Sequence, residues 1–213
     1  YAQAHNLVIM EGIKTAFCPG FNKLINIACS GKIGTICNVE ACFTKLENPN
    51  NRELTDTKYG GSFTELASYT LLPIVKLFGV NYDEVHFDSI LDEKNIDLFT
   101  KAYFKYPNGM ATVTCGLGVK SEGRLLISGT KGYVYVPSPW WKTDYFELRY
   151  EDQNKNKKYF YTWSEPGLRY EIQEFVSCIV NKRLHSSRLT PKESICMADV
   201  MQRFTERKNF YEI

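Results

Sequence analysis

The chain has 213 residues, 44% of them hydrophobic, and its 26 basic against 24 acidic side chains give a net charge of +2. That length fits one domain, or one domain and part of another, and the apolar content is ample for a packed core, which excludes a disordered chain. Lysine and arginine are scattered rather than gathered into a stripe, no apolar run approaches the roughly 20 residues of a membrane span, and no signal peptide opens the chain, so neither nucleic acid nor a membrane is expected as a partner. The seven cysteines form no C-x-x-C pair, which points to a reducing, cytoplasmic setting. His5, His86 and His185 share no metal-like spacing with Cys or Glu, and no metal site is expected.

In chain order, residues 1–6 read as the tail of a helix that runs into an apolar strand, Leu7 to Met10, followed by strand again from Glu11 to Phe17. A strand arriving so early, after a first residue that is not Met, is expected to be the last piece of a preceding domain that has been cut away. Pro19 to Cys29 then reads as a short helix ended by Gly31 and Gly34. Ile36 to Leu46 has the β-branched and aromatic content of a strand.

From Gly60 to Phe78 an amphipathic helix is expected, with Phe63, Leu66, Ala67, Thr70, Leu71, Ile74, Leu77 and Phe78 on its buried face. Glu65 and Tyr69, four apart on the other side, are neighbours in space. Gly60 and Gly61 permit a tight entry, and Pro73 leaves the Tyr69 carbonyl without its usual donor. This acid and phenol fit a ligand site; an ordinary surface helix with a half-buried Tyr fits the same residues.

Strands follow at Val85 to Leu91, Asp97 to Tyr106, Met110 to Val119, Arg124 to Ser128, Tyr133 to Val136, Tyr145 to Tyr150 and Tyr159 to Trp163. Pro107-Asn108-Gly109 is the strongest hairpin signal. The lysine-rich run Asn154 to Lys158 reads as a solvated hairpin loop. Two helices close the chain, near Leu168 to Asn181 and Pro191 to Glu206, the second introduced by Thr190-Pro191-Lys192-Glu193. Leu168, Ile172, Phe175, Val176 and Ile179 give the first an apolar stripe that is expected to cover a sheet. Grouped strands with helices before and after them define an α+β class: an open, predominantly antiparallel sheet with helices packed on one face.

Seven segments taken in order, Met10-Glu11-Gly12-Ile13, Phe17-Cys18-Pro19-Gly20, Gly31-Lys32-Ile33-Gly34, the Gly60 to Tyr69 helix, Tyr106-Pro107-Asn108-Gly109, Ser128-Gly129-Thr130-Lys131-Gly132 and Tyr170-Glu171-Ile172-Gln173-Glu174-Phe175, resemble the C-terminal half of the glucose-fructose oxidoreductase/inositol dehydrogenase (Gfo/Idh/MocA) family, within which Tyr at the second helix position resembles the dihydrodiol dehydrogenase and glucose-fructose oxidoreductase-like branch. Each motif is weak alone; their shared order carries the likeness.

The resemblance implies a glyceraldehyde-3-phosphate dehydrogenase-like C-terminal domain. Residues 1–17 would be the tail of a truncated N-terminal Rossmann domain and 18–213 a substrate-binding and oligomerisation domain. The complete protein would be an oxidoreductase using NAD or NADP on a sugar, polyol or related hydroxyl/carbonyl compound, and would pair as a homodimer through its sheet. The missing Rossmann domain and a small-molecule substrate are the implied partners. No G-x-G-x-x-G follows a strand, so no cofactor-binding residue is expected in this fragment, no cofactor is expected bound to it, and the fragment alone is expected to be inactive.

The family's Glu-Lys-Pro motif, whose lysine assists proton transfer, would precede Tyr1. Carried over by position, Tyr69 is the general acid/base and Glu65 the acid that orients it, with Glu where the family usually has Asp. Ala16 stands where many relatives carry Arg, and Lys14, on the same strand face, either contacts substrate or faces solvent. Trp141, with Trp140, and Arg169 are further candidates for the cleft wall. The alternative is a dimerisation or ligand-sensing module that has lost catalysis.

Overall fold

Alternation of inward apolar and outward polar or aromatic residues runs through the middle of the chain. In the computed structural model, which describes residues 1–162 and 167–213, it builds one nine-stranded sheet. A single helical turn, α1 (Lys14–Phe17), leads into α2 (Pro19–Ala28), where proline at the first position costs no intrahelical bond. Next come β1 (Ile36–Thr44), α3 (Ser62–Phe78), β2 (Glu84–Leu91), β3 (Asp97–Tyr106) and β4 (Gly109–Gly116). The chain continues through β5 (Leu125–Gly129), β6 (Tyr133–Val136), β7 (Tyr145–Arg149) and β8 (Lys157–Phe160), and closes with α4 (Leu168–Val180), α5 (Pro191–Thr205) and β9 (Phe210–Glu212).

The strand order is β8-β7-β6-β5-β1-β4-β3-β2-β9. β1 runs parallel to β4 and β2 parallel to β9, while the other neighbours are antiparallel. This is the open, mainly antiparallel sheet of the α+β class.

One face is covered: α3 lies across β1, β3 and β4, and α5 packs against α3. Phe63 of α3, Phe87 of β2 and Phe204 of α5 meet with ring centroids 4.5–5.4 Å apart, tying helix, sheet and helix together. Each such buried ring contributes about 1.5–3 kcal/mol. Lys76 of α3 pairs with Glu193 at 2.9 Å, and Glu193 closes the capping box with Thr190 at the start of α5. On the other face Phe99, Tyr103, Tyr133 and Tyr135 alternate with core residues and stay partly exposed.

Four expectations need correction. Residues 7–13 have no regular structure, and Lys14–Phe17 is helical, not strand. Ile13, Ala16 and Phe17 are core residues, which a turn of helix can bury together whereas a strand would alternate them. The lysine-rich run is not all loop: a 3-10 turn over Gln153–Lys155, capped by Asp152 accepting from Asn154, puts Lys157 and Lys158 already in β8. The strand expected to reach Trp163 ends at Phe160, and Trp163 lies outside the described residues.

The fourth correction concerns α4. Its apolar stripe does not cover the sheet: Leu168, Ile172, Phe175, Val176 and Ile179 are all exposed, and the residues turned inward are Tyr170, Glu174 and Cys178. Glu174 sets this orientation, since it accepts from Ser186 at 2.8 Å and Arg183 at 3.1 Å and pairs with Arg188 at 3.6 Å. A carboxylate taken from water keeps its place only with such partners.

Candidate functional site

The N-terminal half of α3 carries the polar pair. Tyr69 is half-buried, its ring standing edge-on to Phe43 near the end of β1 at a centroid distance of 5.5 Å. Phe43 stacks on Trp141 at 3.7 Å, nearly parallel. The Trp141 carbonyl accepts the Thr15 hydroxyl at 2.7 Å, which fastens α1 to this wall and brings Lys14 beside it. Trp140, next in sequence, is fully buried and donates its indole N–H to the Cys42 carbonyl at 2.8 Å, so it supports the wall from behind.

Together these elements enclose a cleft of about 280 Å³. Lys14, Glu65, Tyr69 and Trp141 all line it. Arg169 does not: it lies exposed on α4 over the Tyr170 ring. Lys45, Glu47, Glu53 and Lys142 also line the cleft and were not singled out from the sequence. Lys45 sits two residues beyond Phe43, so strand alternation was a usable signal; Glu47 and Lys142 lie in loops and Glu53 in a single 3-10 turn, Arg52–Leu54, where no period marks a direction.

Glu65 makes no hydrogen bond to Tyr69 among the described residues; its Oε2 pairs instead with Arg52 at 3.2 Å. The Tyr69 hydroxyl likewise bonds to no described residue. Burial, then the charges of Glu171 and Glu65, push the Tyr69 pKa above its usual value, since each disfavours the phenolate. Glu171, on α4, has a buried Oε2 with no hydrogen-bond partner among the described residues, and burial raises its own pKa. Cys18 is pushed up to about 12, chiefly by burial, so its thiol is no nucleophile near neutral pH.

The arrangement offers a neutral phenol, three carboxylates and three lysines around an aromatic wall, a set suited to a small polar molecule with several hydroxyls. Among the described residues no group of three His, Cys, Asp or Glu is placed to hold a metal ion, and no helix is long and apolar enough to cross a membrane. Nor do they form a glycine-rich strand-to-helix turn of the kind that cradles a dinucleotide.

This fold belongs to a known class of proteins. The GFO/IDH/MocA C-terminal domain matches residues 21–135, more than half of the chain, and the chain belongs to that family. It is 26% identical over 210 residues to trans-1,2-dihydrobenzene-1,2-diol dehydrogenase of Bos taurus, covering 94% of this chain and 62% of that protein. To scyllo-inositol 2-dehydrogenase (NADP(+)) of Bacillus subtilis it is 24% identical over 209 residues, with the same coverage. The chain thus spans about 62% of the length of these relatives.

Among solved structures, the 3-ketoreductase KijD10 of Actinomadura kijaniata, in complex with NADP and TDP-benzene, superposes with a TM-score of 0.82 at 15% identity over 100% of this chain and 65% of that one. Levoglucosan dehydrogenase, in complex with NADH and levoglucosan, gives 0.76 at 13% identity over 97% and 65%. These likenesses are of fold.

Proposed function

We propose that the chain is the substrate-binding domain of an NAD(P)-dependent oxidoreductase acting on a sugar, polyol or related hydroxyl compound. The observation that carries this reading is the Tyr69 hydroxyl, bonded to no described residue at a cleft that it shares with Lys14 and Trp141. In this reading Tyr69 exchanges a proton with a substrate hydroxyl, Lys14 and Lys142 hold oxygen atoms of the substrate, and the Trp141 and Phe43 rings face its carbon skeleton. Glu65 acts on the phenol through its charge rather than through a hydrogen bond.

The described residues form no dinucleotide cradle, and in this reading the cofactor, NAD or NADP, is held by a nucleotide-binding domain of the complete protein and this chain alone is inactive. Similarity to dehydrogenases whose names include a dihydrodiol and an inositol supports a polyhydroxylated substrate. A cytoplasmic location and pairing of two copies through the outer sheet face belong to the same proposal. A second reading, a ligand-sensing module without chemistry, is favoured by one observation: Glu65 is engaged by Arg52 and not by Tyr69.

The test is an assay of the complete protein with either cofactor against a panel of sugars, polyols and dihydrodiols, followed through nicotinamide absorbance and Trp141 fluorescence. Cofactor turnover with a member of the panel supports the oxidoreductase. Saturable quenching of Trp141 without turnover supports the sensing module, and neither response contradicts both.

A further inference from the structure

The start of α3 is held in an unusual way. The first backbone N–H groups of a helix need acceptors, and the residue before the first turn commonly supplies one from its side chain. Here that residue is Gly61, which has none. The acceptor comes from another element: Oδ2 of Asp97, the first residue of β3, takes the Phe63 N–H at 2.8 Å and the Thr100 hydroxyl at 2.7 Å. Ser62 doubles the attachment, donating its hydroxyl to the Asp97 carbonyl at 2.8 Å and accepting the Leu117 N–H at 2.9 Å. Ser62, Asp97 and Thr100 are all buried.

Gly61 is needed for this contact. Its φ of +105° disfavours any side chain, and a Cβ there would stand 2.0 Å from Asp97 Oδ1. The glycine pair therefore does more than turn the chain; it lets a carboxylate approach the positive end of the helix dipole.

The attachment reaches the cleft by two routes. Pro73 removes the intrahelical bond to the Tyr69 carbonyl, so the segment bearing Glu65 and Tyr69 lies between the Asp97 cap and a broken rung. Tyr69 stands about 10 Å along the axis from Ser62. Its height and rotation are thus fixed mainly at the capped end. Leu117, held by Ser62, lines the cleft beside Leu66 and Tyr69.

We infer that Asp97 is a positioning residue for the candidate site, a helix cap supplied from the neighbouring strand that sets where Tyr69 presents its hydroxyl. The inference rests on Tyr69 being the proton-exchanging group, but its test needs no turnover and so fails independently of that reading.

The experiment labels the tyrosines of this chain with ¹³C at Cζ and assigns the Tyr69 resonance by its loss in Tyr69→Phe. Asp97→Ala removes the acceptor and should displace the Tyr69 resonance. Asp97→Asn keeps an oxygen for both donors and should leave it at the wild-type position. A Tyr69 resonance unmoved in a folded, less stable Asp97→Ala protein would show a role in stability alone and overturn the inference, as would equal displacement by Asn and Ala. If Asp97→Ala does not fold, Thr100→Val replaces it: loss of one of the two donors on Oδ2 should displace the resonance, and an unmoved resonance overturns the inference.

Discussion

At Tyr69 the protein holds a phenol in its neutral form. Burial comes first, and the Glu171 and Glu65 charges add to it. A spectrophotometric titration of this chain minus that of Tyr69→Phe should show a midpoint above the usual tyrosine value of about 10; a midpoint below it would mean that a cation already reaches the phenol. Asp97 gives a second test. Burial outweighs the hydrogen bonds from Thr100 and Phe63 and raises its pKa to about 7, from an unfolded value near 3.9.

A carboxyl group whose pKa rises on folding contributes stability that is fully present below the unfolded pKa and lost as pH rises through the folded one. The stability of the wild type relative to Asp97→Asn should therefore fall between about pH 4 and pH 7. Urea denaturation at a series of pH values reads this difference, and a flat or rising difference would contradict the assignment. Lys58 and Arg207 line the adjoining hollow, so the series is best run at fixed ionic strength.

Among the elements, α4 separates what a sequence period says from what it does not. Because its apolar stripe faces outward, Val176→Asp should change stability by no more than about 0.5 kcal/mol. Glu174→Ala, which strips Ser186, Arg183 and Arg188 of their acceptor, should cost about 1–3 kcal/mol. Urea unfolding of the two variants decides, and the opposite order would mean that the stripe is core after all.

The period of Leu168, Ile172, Phe175, Val176 and Ile179 was legible as a helix with one apolar face. That the face turns away from the sheet was not, because it depends on the distant partners of Glu174. The run from Leu7 to Phe17 failed for a related reason: a short apolar stretch fits strand and helix alike, and tertiary burial of Ile13, Ala16 and Phe17 decides between them. Elements with strong local chemistry were legible, as at the Asn108-Gly109 hairpin and the Thr190/Glu193 capping box. In the site, Glu65 and Tyr69 were legible from helical spacing, whereas the pairing of Glu65 with Arg52 came from a single 3-10 turn, too short for any period to describe.

For the whole molecule, the outer face of the sheet presents Phe99, Tyr103, Tyr133 and Tyr135, with His86 stacked on Tyr103 and Arg149 over Tyr135. An aromatic sheet face of this kind suits pairing with a second copy. Sedimentation at high micromolar concentration should show a dimer that Tyr103→Glu weakens, and a monomer throughout would contradict pairing through this face.

The central claim, that Tyr69 exchanges the substrate proton, is tested most directly by the turnover of Tyr69→Phe in the complete protein, because that change deletes one oxygen and leaves the ring against Phe43. The account predicts a loss of about 100- to 10,000-fold in kcat with cofactor binding retained, and a smaller loss for Glu65→Gln. Near-normal turnover with Phe at position 69 would contradict it.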